Sequence, residues 1–299
     1  MGIAWVFPGQ GSQAIGMAEA VLELPGAKER FAQASELLGR DLLAICAGEG
    51  LEAAGNPSDL NDTRNTQPAL FVIESLLVDA LKAQGRSAEL VAGHSLGELV
   101  ALYAADVFDL ETGLTLMRER STLMAQAGGG AMTAVLGFDR AELDALVAAN
   151  ADVVIANDNS SAQVVLSGTP EAVNSVSGAL KCKRAVPLAV SGAFHSPFMA
   201  EAAAAFATLL EPIPFADATI AVLSNTDPSP CRDGAALKAR LVNQMTTGVR
   251  WRETMEALEQ AGIDTAVEIG PGNVLSGLIK RSCAGISPAR IAGAADLGL

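Results

Sequence analysis

A chain of 299 residues, 50 % hydrophobic and 18 % charged, carries enough apolar material for one large domain or a large and a small one. Its net charge of −14 repels polyanions at long range, which argues against nucleic acid as a partner. No apolar run reaches the roughly 18 residues that span a bilayer.

The first residues run straight into the strand-like Ile3-Ala4-Trp5-Val6-Phe7, with no basic or apolar leader. Cys46, Cys182, Cys231 and Cys283 are far apart and form no C-x-x-C pair. They read as reduced thiols of a cytoplasmic chain, with no disulfide and no metal site.

The strand ends in Pro8-Gly9-Gln10-Gly11-Ser12-Gln13, and a helix is expected from Gly16. The glycines imitate a dinucleotide fingerprint. That fingerprint needs a second strand ending in an acidic residue about 20 residues on. Here residues 28–38 are helical instead, with Glu29 and Glu36 inside the helix. The segment then reads either as a glycine-rich loop whose amides and Gln10 side chain face a pocket or as a plain strand-to-helix turn. Residues 44–64, rich in Gly, Asn and Asp, read as a surface connection. Residues 67–84 read as a long helix with Leu70, Ile73, Leu77 and Leu81 as its apolar stripe.

A short apolar run, residues 89–92, then meets Gly93-His94-Ser95-Leu96-Gly97, and a helical pattern follows to residue 105. A Gly-x-Ser-x-Gly on a strand-to-helix turn lifts the serine Oγ out of the sheet. The helix N-terminus behind it favours developing negative charge. A Cβ at either glycine would clash in so tight a turn. Residues 110–127 read as another long helix. Arg118 and Arg120 in it point about 200° apart, so at most one faces inward.

Gly128-Gly129-Gly130 marks a boundary. Strands over 132–138, 153–156, 163–166 and 185–190 and helices over 140–150 and 170–180 give βαββαβ, the ferredoxin-like split pattern. Residues 157–161 read as a turn. The expectation is a small ferredoxin-like insertion, 129–191, in a large α/β-hydrolase-like domain made of 1–128 and 192–299. After the junction, helices over 197–210, 235–245, 251–260 and 274–281 alternate with strands over 220–224 and 266–269. That alternation implies a mostly parallel sheet covered on both faces.

A serine alcohol needs a base within hydrogen-bond reach. The chain has two histidines. His94 adjoins Ser95 at a strand end, where neighbouring side chains diverge, so it reads as a packing or loop-fixing residue. His195, in the loop at the domain junction, is the base by elimination. A third group should orient it. Either an acid between the two or a carbonyl or amide from the C-terminal part would serve.

Phe7-Pro-Gly-Gln-Gly-Ser-Gln13, Gly93-His-Ser-Leu-Gly-Glu98, Arg120, Gly192-Ala-Phe-His-Ser196 and Glu268-Ile-Gly-Pro-Gly272 stand in the order and spacing of malonyl-CoA:acyl carrier protein transacylases. The resemblance covers essentially the whole chain, insertion included. It implies that Ser95 carries a malonyl ester, that His195 is the base, and that the Gln10 and Leu96 amides form the oxyanion hole. It also implies that Arg120 clamps the malonyl carboxylate and that the Gln244 carbonyl holds the histidine. Phe194 matches malonyl-selecting members, whereas Asn273 stands where some relatives have lysine.

The implied reaction moves malonyl from malonyl-CoA to an acyl carrier protein, for fatty-acid biosynthesis, with no cofactor. A polyketide-synthase loading enzyme and a serine thioesterase are the alternatives. No membrane is involved, and the chain is read as a monomer. Lys181, Lys183 and Arg184, or Lys280 and Arg281, would meet an acidic carrier.

Overall fold

The computed structural model describes residues 2–49, 58–190 and 192–298. In chain order, the large sheet's first half comprises β1 (Gly2–Phe7), α1 (Ala27–Leu38), α2 (Leu42–Ala47), α3 (Thr63–Ala83), β2 (Leu90–Gly93), α4 (Gly97–Ala104) and α5 (Leu110–Gln126). The insertion follows as β3 (Ala131–Phe138), α6 (Arg140–Ala148), β4 (Val153–Ser160), β5 (Gln163–Gly168), α7 (Pro170–Ala179) and β6 (Cys182–Pro187). The chain then returns through α8 (Ala200–Leu210), β7 (Ala221–Leu223), α9 (Gly234–Asn243), α10 (Trp251–Gln260), β8 (Ile263–Ile269), α11 (Val274–Ser282) and β9 (Ser287–Ile291).

Among the described residues the strands form two sheets. The order β7-β2-β1-β8-β9 is parallel throughout, and β4-β5-β3-β6 is antiparallel. The second order is that of a ferredoxin-like unit. Strands buried on both faces need apolar side chains on both. Trp5 and Phe7 therefore enter one cluster with α3, α4 and α5, while Ala4 and Val6 enter another with α10 and α11. A third cluster lies between the small sheet and α6 and α7.

Several expectations are corrected. No α-helix starts at Gly16. The segment runs as turns, with i→i+3 bonds from Met17 to Ala14, Glu19 to Gly16 and Val21 to Ala18, because Gly16 (φ 82°) and Gly26 (φ 75°) are left-handed breaks. The connection read over 44–64 holds part of α2, capped by Asp41, and the first residues of α3, capped by Asp62. Residues 50–57 of that connection lie outside the described residues.

Residues 157–160 are strand, not turn. Beyond the β5 ladder on one side, the Asp158 amide bonds the Val249 carbonyl at 2.9 Å on the other. The strand β6 begins three residues earlier than expected, and β9, an edge strand containing Pro288, was not anticipated at all.

The contact of β4 with residue 249 joins the small sheet to the chain between α9 and α10. Asp158 adds to it by accepting from Arg252 of α10 and Arg140 of α6. The insertion is thus fixed beside the C-terminal ends of β2 and β7, which is where open parallel sheets bind their ligands.

Candidate active site

Ser95 sits between β2 and α4 with φ 55°, a left-handed conformation that costs a non-glycine residue about 1–3 kcal/mol. A Cβ at Gly93 would stand 1.9 Å from the Gly97 backbone, and one at Gly97 would stand 2.2 Å from the Phe7 carbonyl. Only glycine closes this turn.

The strain is held from both sides. The Ser95 amide donates to Asn225 Oδ1 at 2.7 Å, and its carbonyl accepts from Gln244 Nε2 at 2.9 Å. Asn225 in turn donates Nδ2 to the Gly93 carbonyl at 2.6 Å. Asn225 lies just beyond β7, so the neighbouring strand end clamps the elbow.

The Ser95 hydroxyl meets His195 Nε2 at 2.7 Å, and His195 Nδ1 meets the Gln244 carbonyl at 2.9 Å. A carbonyl only accepts, so Nδ1 carries the proton and Nε2 is left to accept from serine. The orienting group is therefore this carbonyl, and no acid between Ser95 and His195 fills the place. Burial, with the Arg120 charge second, pushes the His195 pKa down to about 3. The imidazole is neutral, the form a base requires.

Arg120 is fully buried, whereas Arg118 pairs with Glu119 at the helix surface. The Arg120 guanidinium donates to Gln67 Oε1 at 2.6 Å, Gln244 Oε1 at 2.9 Å and Ser95 Oγ at 3.2 Å. Burial lowers its pKa to about 10, so it stays charged near neutrality. Glu98, raised by burial, accepts from the Asn225 amide at 2.9 Å and from Gln244 Nε2 at 2.8 Å. Gln244 thus touches four groups of the site: its carbonyl holds His195, and its side chain spans Ser95, Glu98 and Arg120.

The amides of Gln10 and Leu96 flank this cluster. Among the described residues neither has an acceptor within the chain. Leu96 precedes the first turn of α4, so its amide adds to the positive end of that helix. Gly9 brings the Gln10 loop against the elbow, where a Cβ would lie 2.4 Å from the His94 carbonyl.

His94 bonds Asn159 of β4 through Nε2 at 2.8 Å and packs against Trp251 with the rings tilted by 56°, which fits a packing role. Phe194 is buried in the main apolar cluster with its ring edge over Gly192. Asn273 makes no side-chain cap. The two carboxylate oxygens of Glu268 accept the Leu275 and Ser276 amides of α11 instead, at 2.9 and 2.8 Å. Lys181, Lys183, Arg184, Lys280 and Arg281 are all exposed.

Sequence reasoning missed Thr63, Gln67 and Asn225, and gave Glu98, quoted within its motif, no role. The available signals were faint. Gln67 interrupts a buried helix face, and Asn225 stands at the C-terminal end of a parallel strand.

Residues 4–297 match the family described as "Acyl transferase domain". A malonyl CoA-acyl carrier protein transacylase of Synechocystis sp. is 51 % identical, over 95 % of this chain and 94 % of its own. The crystal structure of the Synechocystis sp. malonyl-CoA:ACP transacylase superposes with a TM-score of 0.95 at 50 % identity, covering 100 % of this chain and 99 % of that one. A malonyl-transacylase in complex with its type II PKS acyl-carrier protein superposes at 0.91 and 37 % identity, covering 99 % and 98 %. No helix among the described residues is long and apolar enough to cross a membrane. The chain belongs to the acyl transferase family, among its malonyl CoA-acyl carrier protein transacylases.

Proposed function

We propose that this protein transfers malonyl from malonyl-CoA to the phosphopantetheine thiol of an acyl carrier protein, supplying fatty-acid synthesis in the cytoplasm. The observation that carries this reading is the meeting of Ser95 Oγ with His195 Nε2 at 2.7 Å beside the Arg120 guanidinium at 3.2 Å. A nucleophile, a neutral base and a buried cation converge on one point.

In the first half-reaction Ser95 Oγ attacks the thioester carbonyl while its proton passes to His195 Nε2. The Gln10 and Leu96 amides stabilise the tetrahedral oxyanion. The C–S bond breaks, the imidazolium returns its proton to the CoA thiolate, and a malonyl-serine ester remains. In the second half, His195 takes the proton of the carrier thiol. That sulfur attacks the ester, and Ser95 recovers its proton. The chemistry is acyl exchange between thiols and needs neither a metal nor a redox group.

Arg120 supplies the choice of acyl group. A malonyl carboxylate pairs with it, whereas an acetyl group leaves a buried charge unmatched. Phe194 is the candidate for narrowing the pocket further.

Intact mass after brief incubation with malonyl-CoA and no thiol acceptor tests the reading. A malonyl-sized increase is expected, absent in Ser95→Ala. Arg120→Ala should lose most of the malonyl preference while keeping acylation by acetyl-CoA. CoA release without a mass increase would point to hydrolysis, and an unchanged preference would remove Arg120 from the site.

A further inference from the structure

Two buried polar residues of α3 take no part in the chemistry so far described. Thr63 and Gln67 are 5 % and 1 % exposed and stand one helical turn apart on the same face. They lie between the Arg120 guanidinium and the Gln10 loop.

The direction of the first two bonds along this line is fixed by the guanidinium at its end. A guanidinium only donates, so Gln67 must turn Oε1 toward Arg120, at 2.6 Å. Its NH2 group then faces Thr63 Oγ1, at 2.8 Å. Thr63 Oγ1 accepts that bond and donates its own proton onward to Gln10 Oε1, at 2.9 Å. Gln10 is thus joined to the buried guanidinium through two side chains, each donating to the next in the direction of the loop.

The loop at the far end has its own internal bonds. The Ser12 hydroxyl and amide donate to the Gly9 carbonyl at 2.8 and 3.2 Å. Those bonds shape the turn but do not tie it to α3. Thr63 does.

We propose that Thr63 and Gln67 are positioning residues: a one-way hydrogen-bond relay that holds both the carboxylate clamp and the oxyanion loop on a single helix. The proposal rests on the reading of Arg120 and Gln10 given above. Its two arms separate. Gln67 supports both ends, whereas Thr63 supports only the Gln10 end.

Single-turnover acylation by malonyl-CoA and by acetyl-CoA, followed by intact mass, separates them, with melting temperature measured alongside. Thr63→Val keeps shape and removes the proton. It should slow acylation by both esters about tenfold, the rate equivalent of one lost hydrogen bond behind the Gln10 loop, with KM and malonyl preference unchanged. Thr63→Ser should restore the rate. Gln67→Leu should slow both esters and also lower the malonyl preference, by about tenfold, because a buried guanidinium nitrogen loses its acceptor.

Wild-type rates in Thr63→Val, or a slowed rate that Thr63→Ser does not rescue, would overturn the relay. So would an unchanged preference in Gln67→Leu beside a lost preference in Arg120→Ala. If Arg120→Ala itself keeps its preference, the clamp reading fails. The Thr63 variants then still decide whether α3 holds the Gln10 loop.

Discussion

In the four-stranded sheet, Val135, Val153, Val164 and Leu166 pack against Leu143, Val173 and Val176 of its two helices in a cluster of apolar side chains. The cleft beside the parallel sheet buries Gln67, Glu98, Arg120, His195 and Gln244 instead, none more than 3 % exposed. It also holds Ser95 and His195 at φ 55°. Apolar contact is non-directional and tolerates small shifts. A buried polar network is directional, and each lost partner leaves another group unsatisfied. The same small change in volume should therefore be felt as lost stability in the first region and as lost chemistry in the second.

Paired substitutions test that contrast at its sharpest. An Ala at Gly93 would place Cβ 1.9 Å from the Gly97 backbone, so the elbow must move. A displacement of about 1 Å at a nucleophile costs on the order of 10²-fold in rate, and Gly93→Ala should lose at least that much acylation. Leu166→Ala should instead destabilise the fold by about 2–5 kcal/mol and leave acylation by the folded protein within about twofold of wild type. Chemical denaturation and burst acylation on both variants read the two quantities separately. Near-normal acylation in Gly93→Ala, or a slowed Leu166→Ala, would break the division.

A second effect follows from His195. Its pKa lies near 3 in the folded protein against an ordinary 6.5. The unfolded chain takes up the proton first, so the neutral histidine's contribution is complete above about pH 6.5. That contribution shrinks as pH falls toward 3. Glu74 and Glu98 have the opposite sign, because burial raises their pKa and their contribution is lost as pH rises. The stability difference between wild type and His195→Ala isolates the histidine. It should move in favour of the variant as pH drops from 6.5, and a difference flat with pH would mean the imidazole is not desolvated.

Much of both regions was legible beforehand, for different reasons. The small sheet shows in the alternation of strands and helices, because each element buries one face. Its miss at residues 157–160 arose because the strand takes a second backbone partner at residue 249, through the Asp158 amide and the Ala156 carbonyl, a tertiary effect that local propensity cannot show. The elbow shows through Gly93 and Gly97, whose absence of a side chain is a local necessity. Gln67 and Asn225 stayed hidden. Their roles are set by which strand end or helix face lies opposite, and only the folded chain decides that. The Gln244 carbonyl is hidden in a deeper sense, since every residue has one. Only the resemblance pointed to it.

Arg118 and Arg120 provide the smallest and cleanest contrast, since they share a helix and differ by two positions. Sequence geometry allowed only one of them inward. Arg118 remains about one-third exposed and pairs with Glu119 across the surface. Such pairs contribute about 0–1 kcal/mol, so Arg118→Ala should change neither the melting temperature by more than a few degrees nor the malonyl/acetyl preference at all. Arg120→Ala leaves Gln67 and Gln244 without a donor and should change the preference strongly. If Arg118→Ala shifts the preference as well, the substrate carboxylate reaches the surface side of α5, and the buried cation is a structural countercharge for Glu98 rather than the clamp.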